Sequence, residues 1–155
     1  MQIAWKQPPL PKIYEALGAV ADGRVEVVGQ TAICHSSSGN KFYNVTYDGV
    51  GKAIMCNDNA SYYHGYLGYP AIAFLLATAV LPYEARLANL LQGVAWKDLN
   101  QQYKNDFTAA LESVLIKLKR EDRLALDTYA AELHEAVTRL KLKQLGQQTK
   151  PSALY

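Results

Sequence analysis

Apolar positions alternate with polar ones in the strand-like part of residues 1–81, and after Pro82 they recur at steps of three and four. The clearest alternation runs from Lys41 to Tyr47, where Tyr43, Val45 and Tyr47 share one face and Phe42, Asn44 and Thr46 the other. Asp48-Gly49 and Gly51 supply turn chemistry, and Lys52 to Cys56 returns antiparallel. Arg24–Val28 and Gln30–His35 read as two earlier strands separated at Gly29, so the pattern predicts a meander of about four strands. A short helix over Lys12–Asp22, with Ile13, Leu17 and Val20 on one side, precedes it and ends at Gly23. Pro70 opens a second helix, Ala71 to about Leu81, apolar nearly all round and so suited to cover the sheet.

The second half reads as helices. Tyr83–Gln92 carries Leu87, Leu90 and Leu91 and stops at Gly93. Lys97–Lys119 places Leu99, Tyr103, Phe107, Leu111, Val114 and Leu118 on one seam, with Trp96 just before it. Glu121 to Leu145 repeats the pattern with Leu126, Ala130, Leu133, Val137 and Leu140. These last two predict a helical hairpin or a short coiled coil, and the same seam suits a homodimer. The fold class expected is therefore α+β: a small antiparallel sheet of about four strands covered by a helix, then a C-terminal helical hairpin or bundle. The division expected is an α+β module over 1–81 with an N-terminal arm, a helical region over 82–146 and a flexible tail over 147–155.

Within 41–81 the residues Tyr43-Asn44-Val45, Asp48-Gly49, Cys56-Asn57-Asp58 and Ile72-Ala73 fall in an order that resembles the SWIM domain, a ββα zinc module with CxC and CxH ligand pairs. Only Cys56 matches a ligand of that pattern; Ile54, Tyr69 and Ala71 stand where the other three would be. A closed zinc site needs four ligands. The resemblance thus implies a SWIM-like scaffold without metal, with a role in binding nucleic acid or in nucleic-acid complexes.

Composition narrows the classes. Hydrophobic residues make up 50% and charged residues 19% of the 155, which fits a folded chain and not a disordered one. The net charge of +2 imposes no polyanionic partner. The longest apolar run, Pro70–Pro82, falls short of the ~20 residues that cross a bilayer. Met1–Pro11 lacks the pattern of a signal peptide, so none is expected. Two cysteines make no disulfide framework, which suits a cytoplasmic protein with free thiols.

Candidate chemistry is sparse. Tyr62, Tyr63, Tyr66 and Tyr69 fall within eight residues, with His64 among them. Tyrosine suits base stacking and protein contact, and equally suits packing over the sheet. Lys117, Lys119, Arg120 and Arg123 gather near the turn between the last two helices. They could meet phosphate, though Glu121 and Asp122 interrupt them and a solvated face explains them as well. Cys34, His35, Cys56 and His64 fit no standard zinc spacing, and Cys34 and His35 point to opposite faces of a strand. No phosphate loop, dinucleotide fingerprint or HExxH occurs. The sequence therefore predicts a non-enzymatic protein with no cofactor and no metal. The SWIM resemblance implies that it binds DNA or RNA, with Tyr62, Tyr63, His64, Tyr66 and the group Lys117, Lys119, Arg120 and Arg123 as the expected contacts. The alternative is a protein–protein adaptor or inhibitor that uses its helical hairpin and tyrosine loop.

Overall fold

The structure, a computed structural model, describes residues 3–151. Helix α1 (Pro11–Ala21) begins with proline at its first turn, where the missing N–H costs nothing. It is no peripheral helix: Pro11 to Ala19 are all buried, Lys12 and Glu15 included. Strands β1 (Val25–Val28), β2 (Thr31–His35), β3 (Phe42–Asp48) and β4 (Ala53–Cys56) form an antiparallel meander in chain order. In β2 and β3 the alternation is realised, with Ala32, Cys34 and Val45 buried and Thr31, Ile33, Phe42 and Asn44 outside.

Helix α2 (Tyr69–Ala77) packs against all four strands with one face and against α1 with the other. Buried on both sides, it shows the all-round apolar character that its position requires. Around α1 then gather α3 (Ala85–Ala88), a 3₁₀ turn at Asn89–Leu91, α5 (Phe107–Leu115) and α6 (Arg120–Leu140), with α4 (Trp96–Gln102) against α5. One continuous core runs from Ile13 to Leu142 and joins the sheet half to the helical half.

The fold class is α+β as the sequence predicts, with different element bounds in the helical half. Lys97–Lys119 is not one helix. Lys104 and Asn105 take positive φ of 52° and 65°, and the Asp106 carboxylate caps α5 by accepting from Ala109 N at 3.1 Å. Tyr83–Gln92 shrinks to α3 and the 3₁₀ turn. The last helix stops at Leu140, not Leu145, because Lys141 turns left-handed at φ 49°. Lys143–Gln144 then forms β5, parallel to β4, a fifth strand absent from the sequence reading. Helix α5 has only nine residues, so no long hairpin forms. Leu126, Ala130, Leu133 and Val137 are buried in the chain's own core, where α6 packs on α1 and α3. Residues 152–155 of the expected tail, and Met1 and Gln2 of the arm, lie outside the described residues.

Candidate functional site

A cavity of about 400 Å³, lined by charged, amide and aromatic side chains, lies between α1, the β2–β3 loop, the tyrosine-rich loop and the α4–α5 segment. That size falls within the range usual for small-molecule sites, about 300–1,000 Å³. Its floor comes from α1. Lys12 and Glu15 stand three residues apart, hence on one helix face, and Lys12 Nζ lies 3.2 Å from Glu15 Oε2. The same ammonium sits over the Phe107 ring at 3.8 Å, and Asn100 Nδ2 donates to Glu15 Oε1 at 3.5 Å. Burial pushes the Glu15 carboxyl above its ordinary range, opposed by Lys12, Asn100 and Arg24.

Arg24 follows the left-handed Gly23 that ends α1 and enters the cavity with its guanidinium largely committed. Nε donates to Asp22 Oδ2 at 3.2 Å and Nη1 to His35 O at 2.8 Å. Nη2 is buried with no hydrogen-bond partner among the described residues, and the same holds for Trp96 Nε1. Leaving a buried donor unsatisfied costs roughly 1–3 kcal/mol, more when it is charged. Glu15 Oε2 is a buried acceptor that likewise makes no hydrogen bond among the described residues. Trp96 Nε1 abuts Gly18 of α1, which leaves Arg24 Nη2 as the charged donor beside the cavity that an acceptor would satisfy. Lys41 and Lys97 also line it, so Lys12, Arg24, Lys41 and Lys97 stand against the carboxylates of Glu15 and Asp58. Counting Asp22, which pairs with Arg24 at 3.2 Å, four cationic groups stand against three carboxylates, a formal balance of one positive charge.

The opposite wall is the tyrosine-rich loop. Buried Asp58 organises it by accepting from Ser61 N at 3.4 Å and, through a short bond, from Ser61 Oγ. A Cβ on Gly68 would collide with the Asp58 carboxylate, so glycine is needed for that close approach. Ala60–His64 forms a single π-helical turn closed by Gly65 at φ 73°. The arm and the C-terminal segment pin it: Lys6 N donates to Gly65 O at 3.0 Å and Gln148 Nε2 to Ser61 O at 2.8 Å. His64 and Tyr66 stack nearly parallel, with centroids 5.6 Å apart, and both line the cavity. Tyr69, edge-on to Tyr43 at 6.2 Å, lines it too, and burial raises its hydroxyl well above the usual range.

The residues singled out in the sequence divide. His64 and Tyr66 reach the cavity, whereas Tyr62 and Tyr63 pack edge to face at 4.9 Å outside its lining, Tyr63 being 62% exposed. Lys117, Lys119 and Arg120 are exposed at the α5–α6 connection and do not line it. Arg123 is engaged there by Glu112, with Nη1–Oε1 at 3.0 Å and Nη2–Oε2 at 2.6 Å. Cys34 and Cys56 are buried on the inner sheet face. Burial raises the Cys34 thiol to about 12, and burial followed by Asp58 raises that of Cys56 well above its usual range. His35 bonds Glu26 at 2.8 Å on the outer face, so it does not join the two thiols. Among the described residues no group of three or more His, Cys, Asp or Glu is placed to hold a metal. At the positions aligned with SWIM ligands, Ile54, Cys56 and Ala71 are buried and Tyr69 opens α2.

Lys12, Glu15, Arg24, Ser36, Lys41 and Trp96 escaped the sequence reading as site residues. One signal was present: a Lys and a Glu inside an otherwise apolar helix, at the spacing that pairs them. Residues 5–143 match the model of a family described as uncharacterised conserved protein UCP014422. Neither the curated proteins nor the solved structures gave a match.

Proposed function

We propose that this chain, which belongs to that family, is a binding protein for a small anionic ligand held in the α1–tyrosine-loop cavity. The observation that carries the reading is the unpaired Arg24 Nη2, buried at the edge of a cavity whose charge is already positive. A carboxylate or phosphate oxygen there satisfies a charged donor, and charge-assisted bonds are about twice as strong as neutral ones. The buried Lys12–Glu15 pair fits this role better than a purely stabilising one, because such pairs rarely repay their desolvation in stability.

This reading keeps half of the nucleic-acid expectation. His64 and Tyr66 belong to the proposed site, while the Lys117–Arg123 group does not. It assigns no reaction and needs no cofactor.

The test is ligand-induced thermal shift with sulfate, orthophosphate, acetate and benzoate, each against chloride at equal ionic strength. A ligand that binds only the folded state stabilises by RT ln(1 + [L]/Kd), about 2.7 kcal/mol at a hundredfold excess over Kd. At least one anion is expected to raise the melting temperature of the wild type. Arg24→Met, with its fold verified by circular dichroism, should lose that shift and Arg24→Lys should keep part of it. Absence of any anion-specific shift, or an undiminished shift in Arg24→Met, refutes the reading.

A further inference from the structure

We infer that the ligand is a terminal phosphate monoester followed by a nucleobase, bound phosphate-first. This rests on the anion-binding reading above and adds the identity of the ligand's other end.

The argument is the gradient of chemistry from floor to mouth. The buried lining residues are mostly charged: Lys12, Glu15, Lys41 and Asp58, with Arg24 close behind. The exposed ones are of another kind: the carboxamides of Asn59, Gln101 and Asn105 and the imidazole of His64. A simple inorganic anion would use the floor and leave the mouth idle. A fatty or purely aliphatic acid would meet amides where it needs apolar walls. The mouth offers a ring face and hydrogen-bonding edges together. His64 stacks on Tyr66 with an interplanar angle of 9°, giving a flat platform. Carboxamides carry both a donor and an acceptor, the combination that reads the edge of a base, as Asn and Gln do with adenine. A planar, nitrogen-rich ring fits both features, and base–aromatic stacking tolerates any base.

The two ends also lie on different parts of the chain. Arg24 directly follows α1 and Trp96 belongs to the core, whereas His64 and Tyr66 belong to the loop pinned by Lys6 and Gln148. Affinity for the phosphate and affinity for the ring are therefore separable by mutation.

Two sources carry this chemistry: a free nucleoside 5′-monophosphate and the 5′-phosphorylated end of a single strand. The experiment is isothermal titration of the whole chain with orthophosphate, ribose 5-phosphate, the four nucleoside 5′-monophosphates, benzoate, and an oligonucleotide with and without 5′-phosphate. Nucleoside monophosphates are expected to bind roughly tenfold or more tighter than ribose 5-phosphate. Gln101→Ala, at an exposed position of the mouth, should cut that advantage and leave orthophosphate affinity unchanged, and His64→Ala should cut it as well. A 5′-phosphorylated oligonucleotide binding more tightly than its unphosphorylated twin and than the mononucleotide identifies a strand end. Binding of the mononucleotide alone identifies a free nucleotide. Equal affinity for ribose 5-phosphate and the nucleotides, or binding of benzoate without any phosphate, overturns this inference and leaves the anion reading standing. If no anion binds, both fall.

Discussion

Gly18 lies so close beneath the Trp96 indole that a Cβ on it would stand 2.7 Å from Nε1. A glycine inside a helix costs about 1 kcal/mol against alanine, so helix propensity alone favours replacing it. Close packing opposes this. Trp96 is 4% exposed, and a contact under 3 Å forces either the indole or α1 to move. Overpacking a tight site costs roughly 1–3 kcal/mol. Gly18→Ala is therefore expected to be net destabilising, by up to ~2 kcal/mol in a urea titration, with an altered Trp96 emission. A more stable variant with unchanged emission would show that the indole yields freely.

Glu15 should make anion binding depend on pH. Burial lifts its carboxyl above the ordinary 4.5, against the pull of Lys12, Asn100 and Arg24. The unfolded chain titrates near the ordinary value. Between the two values the folded state holds more protons, so Glu15's contribution to stability declines as pH rises through that window. Neutral Glu15 also leaves Lys12 and Arg24 less compensated, so sulfate should bind more tightly below the folded value than above it. Glu15→Gln is expected to flatten the sulfate profile. The two proteins share every other titrating group, so the difference in their slopes reports Glu15. Equal slopes would count against its place beside the anion.

Asp58 is the other buried carboxylate of the cavity, and its task is structural. Asp58→Ala leaves Ser61 N and Oγ without their acceptor and opens space against Gly68. Each unsatisfied buried group costs roughly 1–3 kcal/mol, so a loss of about 2–4 kcal/mol is expected in chemical denaturation. Ser61→Ala, which removes only the hydroxyl partner, should cost less. The reverse order would mean that Asp58 is spared by water.

The sheet was legible because its alternation and its turn residues agree: Val28↔Thr31 pairing around Gly29 and Gln30 is what the sequence asks for. The α4–α5 break was hidden by its own regularity. Leu99, Tyr103, Phe107 and Leu111 keep helical spacing across Lys104 and Asn105, so periodicity ran on while the backbone did not. The local signal was Asn105-Asp106, a left-handed residue followed by a helix cap. The cavity was less legible still. Its residues come from positions 12 to 107, and no short motif spans α1, the β2–β3 loop and α4. What could be read was chemistry within one loop, which is why His64 and Tyr66 were named as candidates and Arg24 was not.

Within that loop the tyrosines should separate by burial. Tyr63 is 62% exposed, so Tyr63→Ala is expected to leave stability within about 0.5 kcal/mol. Tyr69 packs on the core and against Tyr43, and truncating a buried aromatic costs about 3–5 kcal/mol. Thermal denaturation of the two variants decides this. Comparable losses would mean that Tyr63 also packs in solution.

The C-terminal segment offers the sharpest contrast. Leu142 is buried, and its carbonyl accepts from Trp5 N at 3.1 Å. Lys143 N donates to Lys52 O at 3.0 Å, Gln144 N to Ile3 O at 2.7 Å and Leu145 N to Ile54 O at 3.1 Å. Residues 142–145 thus stitch the arm to β4, where the end of the last helix was expected. Removing residues 149–155 touches none of these bonds and should leave the melting temperature within a few degrees. Removing 142–155 deletes a buried leucine, worth about 2–5 kcal/mol, and four backbone hydrogen bonds at roughly 0.5–1.5 kcal/mol each. Their sum is a large part of the ~5–15 kcal/mol that holds a domain together. At about 2–4 °C per kcal/mol, the longer truncation should melt at least ~10 °C lower or fail to fold. It should also loosen the tyrosine loop, because Gln148 no longer reaches Ser61 O. Gln148→Ala isolates that second effect: stability nearly intact, but faster amide exchange across Ala60–His64. A 142–155 deletion that melts with the wild type would show that β5 contributes nothing to the sheet.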